Sequence, residues 1–118
     1  MESKTLKMQD GPIGPDDAAE MFAALGAPVR LSILRALVRA GQPGMTVGAL
    51  QERLAMPAST LSHHLRALVQ ADVITQEREG RSLICRAAFP NLEGLAAFLL
   101  TECCADQGET RKVDRDAS

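Results

Sequence analysis

Through the middle of this sequence, apolar positions fall mostly three and four apart, the spacing that gathers them on one face of a helix. In DDAAEMFAALG, Asp16 and Asp17 favour a helix start and Gly26 a stop. Pro28 suits the first turn of a second helix, PVRLSILRALVRAG. Val29, Ile33, Leu34 and Leu37 share one of its faces, and Gly41 ends it. GQPG reads as a turn. Thr46 can cap a short helix carrying Val47, Leu50 and Leu54. Ala55, Met56 and Pro57 break it. Ser59 or a neighbour then caps a longer helix with Leu61, Leu65, Leu68 and Val69 facing inward.

The period then changes. VITQEREGRSLICRAAF predicts two short strands, with the polar EREGRS and its Gly80 as the hairpin tip. Asn91 is expected to cap a last helix, LEGLAAFLLTECC, with Leu92, Leu95, Phe98 and Leu99 as its apolar stripe. The order α-α-α-α-β-β-α predicts a mainly α domain with a two-stranded β-wing, a winged helix-turn-helix. Residues 1–15 and 105–118 are polar and aperiodic and read as flexible tails. The domain is expected to span residues 16–104.

Composition narrows this picture. A chain of 118 residues suits one domain with one core. There is no Trp or Tyr and Phe occurs three times, so the core must be aliphatic. The formal net charge is −2, which counts against nucleic-acid binding without excluding a local basic patch. MESKTLKMQDGPIGP has no apolar stretch like that of a signal peptide, and no apolar run is long enough to span a bilayer. The expectation is a cytoplasmic protein with no membrane partner, in which thiols stay reduced.

One face of the fourth predicted helix carries candidate chemistry. Opposite its leucines lie Ser59, His63, Arg66 and Gln70, with Thr60 and Ser62 at the N-terminal edge. Short polar groups in the first turns of such a helix can reach base edges and phosphates of double-stranded DNA. Arg81 at the hairpin tip can reach a phosphate, and Arg78 and Arg86 add positive charge. His63 points with Ser59 and Arg66. His64 borders the leucine face, so a structural hydrogen bond is favoured there over a DNA or metal contact.

At this point the chain resembles a known family. APVRLSIL, TVGALQERL, STLSHHLRALVQADVI and REGRSLICRA, in this order, are similar to motifs of the ArsR/SmtB metalloregulatory repressors, over roughly residues 16–104. The resemblance implies a homodimer through the first and last helices. It also implies that operator DNA is bound without ligand and released when a metal or metalloid binds. It carries the recognition helix onto Ser59–Gln70 and the wing onto Glu79–Ser82. The arsenite and cadmium sensors of the family have a Cys-Val-Cys motif where this chain reads MTVGALQERL. The zinc sensors place Asp and His on the last helix, where this chain has only Glu93 and Glu102. Neither pattern is present.

The remaining soft ligands are Cys85 on the second strand and the adjacent Cys103 and Cys104. Zinc needs four ligands and is poorly served. Trivalent arsenic takes three bonds, so arsenite would use three thiolates and a monomethyl or phenyl arsenical two. Successive helical side chains diverge by about 100°, so chelation would pair Cys85 with Cys103 or Cys104, within or between subunits. One subgroup of the family is similar in having a strand cysteine plus a terminal cysteine pair. It responds to trivalent organoarsenicals in preference to arsenite. The resemblance thus implies an arsenical effector and no required cofactor. Inert thiols, a thiol redox or persulfide sensor, and a dimeric scaffold without DNA binding stay open as alternatives. An enzyme is not expected, since the chain lacks a Cys-x-x-Cys motif and any paired nucleophile and base.

Overall fold

The computed structural model describes residues 13–102. The elements are α1 (Pro15–Leu25), α2 (Pro28–Ala40), β1 (Met45–Thr46), α3 (Val47–Leu54), α4 (Ala58–Gln70), β2 (Ile74–Glu79), β3 (Ser82–Ala87) and α5 (Phe89–Glu102). The winged helix-turn-helix order is therefore present, with one extra strand. Met45 and Thr46 pair antiparallel with Cys85 and Ile84, giving a sheet of order β1-β3-β2. No single described helix is long and apolar enough to cross a membrane.

Local chemistry accounts for most boundaries. Proline opens both α1 and α2, where its missing N–H costs no helical bond. Thr46 accepts from the Ala49 N–H at 3.0 Å, as expected of a cap on α3. Ala55 closes α3 in the left-handed region, at φ 51°. α4 starts one residue before Ser59, and Pro57 is its N-cap, with no side-chain hydrogen bond. The cap expected at Ser59 or a neighbour thus falls on Pro57, and Ser59 is left exposed on the helix surface.

The hairpin is tighter than the six polar residues suggested. Glu79 pairs with Ser82, so only Gly80 and Arg81 form the loop. Gly80 has φ 62°, while Arg81 is not among the described residues with positive φ. Positive φ at the first loop residue alone is the type II′ pattern, which favours glycine there.

Asn91 is not a cap either. It is buried within α5 and donates from Nδ2 to the Asp72 carbonyl at 2.8 Å. Asp72 has φ 62° and turns the chain from α4 into β2, so the contact ties the start of α5 to that corner.

The fully buried core of the described residues holds no aromatic side chain, and Phe89 and Phe98 pack against its edge. Met21, Ile33, Leu37, Leu50, Leu61, Leu68, Val73 and Ile74 are buried within it, together with Cys85. On α2, Ala36 takes the inward place expected for Val29, which is exposed. Ile13 falls in the segment expected to be a tail, yet it is only 4% exposed and packs where a Gly94 Cβ would stand. α5 packs on α1. Leu95 is buried and Leu92 and Phe98 are half-buried, while Leu99 and Leu100 on α5 and Phe22 on α1 stay exposed.

Candidate nucleic-acid interface and the thiol beneath it

The leucine face of α4 turns its opposite face outward. Leu61, Leu65 and Leu68 are buried, and Ser59, Thr60, Ser62, His63, Arg66 and Gln70 are all exposed. The structure therefore gathers the expected reading residues on one accessible helix surface. Arg81 stands at the loop of the β2–β3 hairpin and Arg78 on β2, both exposed.

Arg86 behaves differently from the expectation. Its Nε donates to the Gln42 carbonyl at 2.7 Å, and one terminal nitrogen donates to Glu77 Oε1 at 2.8 Å. The other lies 3.6 Å from Glu79 Oε2. Two carboxylates thus balance its charge, and Arg86 brings little field to a phosphate. Sequence separation hid this, because Gln42 is distant along the chain and Glu77 meets Arg86 only across the sheet.

His64 makes the structural hydrogen bond expected of it. Arg30 on α2 donates from Nε to His64 Nδ1 at 3.1 Å. Arg30 also reaches the Ala24 carbonyl at the end of α1, at 3.5 Å. One guanidinium therefore joins α1 and α2 to α4. An acceptor at Nδ1 requires the neutral imidazole with its proton on Nε2. Burial, then the Arg30 charge, then His63 hold the His64 pKa below its usual value of 6.5. The His63 and His64 rings meet edge to face, 5.3 Å between centroids.

Between α4 and the wing lies a cleft of about 290 Å³. Val47, Leu65, Val69 and Leu83 give it an apolar lining, and Ser62, Arg66, Gln70 and Gln76 a polar one. Gln76 also donates from Nε2 to Cys85 Sγ at 3.4 Å. Cys85 is fully buried at the centre of the middle strand. Burial raises its thiol pKa, and the Gln76 hydrogen bond opposes that in part. Cys103 and Cys104 lie outside the described residues, as does the expected C-terminal tail. Among the described residues, no group of three or more His, Cys, Asp or Glu side chains is placed to hold a metal ion.

Known proteins agree with this geometry. A helix-turn-helix domain family matches residues 25–77. The uncharacterised HTH-type transcriptional regulator MJ1325 of Methanocaldococcus jannaschii is 40% identical over 65 residues, covering 55% of this chain and 71% of that protein. The HTH-type transcriptional repressor SmtB of Mycobacterium tuberculosis is 35% identical over 94 residues, 80% of this chain, and the chain spans 64% of its length. Among solved structures, an ArsR-like transcriptional regulator from Rhodococcus superposes with TM-score 0.70 at 24% identity, covering 87% of this chain and 94% of that one. The Mycobacterium bovis Mb0332 fragment, a homodimeric winged helix-turn-helix DNA-binding domain, superposes with TM-score 0.59 at 29% identity, covering 78% and 81%. The chain belongs to the HTH-type transcriptional regulators and has the winged helix-turn-helix fold of ArsR-like proteins.

Proposed function

We propose that this chain is a homodimeric repressor that docks α4 and its wing on double-stranded operator DNA and lets go when a trivalent arsenical binds Cys85. The observation that carries the DNA reading is the α4 surface. A buried leucine face turns Ser59, Thr60, Ser62, His63 and Arg66 outward, beside a tight hairpin with Arg81 in its loop. Such a helix suits the major groove, and an arginine on a two-residue loop suits a backbone phosphate. The exposed Phe22, Leu99 and Leu100 supply an apolar surface for pairing through α1 and α5. A mobility shift on the protein's own promoter tests this. A dimeric scaffold would leave that DNA unshifted.

The effector reading rests on Cys85, with Cys103 or Cys104 as the second thiol. Two thiols and methylarsenite, CH3As(OH)2, form two As–S bonds and release two waters. Each thiol proton leaves with an arsenic-bound hydroxyl, and the product is neutral. A neutral dithioarsenical costs little to hold beside a buried strand. Gln76 contacts Cys85 Sγ and also lines the cleft between α4 and the wing. Arsenic on that sulfur would displace Gln76 and alter how the wing sits against α4. A coupling of about 1–3 kcal/mol is usual for such linkage. Titrating DNA release in parallel with methylarsenite, arsenite, cadmium, zinc and a persulfide donor separates the effectors.

A further inference from the structure

Three arginines from two helices open onto one small cleft that shares no residue with the polar face of α4. Arg35 and Arg39 lie one turn apart on α2, and Arg53 comes from the last turn of α3. With Ser32 they line a cleft of about 160 Å³, completed by Ala36 and Leu54. Among the described residues, no carboxylate lines it. Among the described residues, none of the three guanidinium groups has an ion-pair partner.

This arrangement differs from how the chain treats other arginines. Arg30 is spent on His64 and the Ala24 carbonyl, and Arg86 on Glu77, Glu79 and Gln42. A single exposed arginine is adequately explained as a solvated charge. Three that line one concavity, in a chain of net charge −2, repel each other unless an anion sits between them. At roughly 30 Å³ per water, the cleft has room for one tetrahedral oxyanion. Guanidinium forks match phosphate oxygens two at a time, and the Ser32 hydroxyl can donate a further bond.

We infer that this cleft binds a phosphate group, and that its occupant is a backbone phosphate of the duplex on which the chain docks. The inference rests on the DNA-binding reading above. α3 is the leading helix of the helix-turn-helix, the one that crosses the DNA backbone while α4 enters the groove. Arg53 lies on that helix, and Ser32, Arg35 and Arg39 lie beside it on α2. The site adds affinity and register without sequence preference.

The test replaces all three exposed arginines in the full chain, Arg35→Gln, Arg39→Gln and Arg53→Gln, with thermal melting as the check on folding. The slope of log affinity against log salt is expected to fall by about 0.9 per phosphate, or about 1.8 for the two clefts of a dimer. Operator and scrambled DNA should weaken by the same factor. A neutral methylphosphonate moved along the operator should weaken the wild type at the contacted position and leave the variant unaffected there. An unchanged salt slope overturns the DNA occupant. So does binding of inorganic phosphate by the wild type alone, when methylphosphonates weaken both proteins alike; the source is then a free phosphorylated molecule. If the wild type binds no duplex at all, the DNA reading fails together with this occupant. Intact wild-type binding with an unchanged slope in the variant removes this occupant alone.

Discussion

Gln76 donates its side-chain N–H to the Cys85 sulfur at 3.4 Å, from the position directly opposite it in the β2–β3 pair. The contact covers a fully buried thiol and faces the cleft between α4 and the wing. Burial raises the Cys85 pKa in the folded state above its usual value of 9.0. The folded chain then holds this proton more tightly than the unfolded chain does. The resulting stability is fully present below pH 9 and is lost as pH rises through the raised value. Cys85→Ala should therefore flatten the decline of Tm above pH 9, at a cost of about 1 kcal/mol near neutrality. Parallel melts from pH 7 to 10.5 check this, and identical slopes for both proteins would remove the linkage.

The Arg30–His64 bond has the opposite sign. His64 is held below its usual pKa of 6.5, so the unfolded chain takes up the proton first. The stabilising contribution is complete above pH 6.5 and disappears as pH falls through the depressed value. His64→Gln keeps an acceptor for Arg30 and removes the titration, so its stability should vary less between pH 6.5 and 5. His64→Ala leaves the Arg30 N–H without its acceptor and should cost about 1 kcal/mol at pH 7. Chemical denaturation at both pH values distinguishes the two variants.

Much of this fold was legible in the sequence, because helix periodicity and end signals are local. Thr46, Pro28 and the leucines of α4 announce their roles within a few residues. β1 was not legible. Two residues carry no alternation, and only pairing with Cys85 and Ile84 makes Met45 and Thr46 a strand. Asn91 looked like a cap because its neighbours permit one, while its partner, the Asp72 carbonyl, is brought in by the α4–β2 corner. The polar surface of α4 could be read from spacing alone. The neutralisation of Arg86 and the grouping of Arg53 with Arg35 and Arg39 could not, since both depend on tertiary approach.

Gly44 gives a direct check on the β1–β3 joint. It has φ 71°, and a Cβ there would stand 2.5 Å from the Cys85 carbonyl oxygen and 2.7 Å from Arg86 Cγ. The carbonyl belongs to the middle strand and cannot move aside cheaply. Gly44→Ala should destabilise the protein by about 2–3 kcal/mol, from left-handed strain and the clash together. Urea unfolding measures this, and a change under 0.5 kcal/mol would contradict the packing described.

The wing arginines should separate by role. Arg81 is exposed in the loop, and Arg86 is paired with Glu77 and Glu79. Arg81→Gln should lower the salt slope of DNA binding by about 1 per protomer and weaken all sequences alike. Arg86→Gln should leave that slope unchanged. Arg66→Ala should weaken operator binding by about 1–3 kcal/mol, if Arg66 reads a base edge. Fluorescence anisotropy over a salt series reads all three variants.

One titration addresses the α4 surface and the buried Cys85 thiol together. Labelled promoter DNA is bound to saturation by the wild-type chain and by Cys85→Ala, and methylarsenite is then added. Both proteins are expected to bind the DNA with similar affinity, and only the wild type is expected to be released. Failure of the wild type to bind, or release of the Cys85→Ala protein at the same methylarsenite concentration, overturns the proposed link between Cys85 and DNA release.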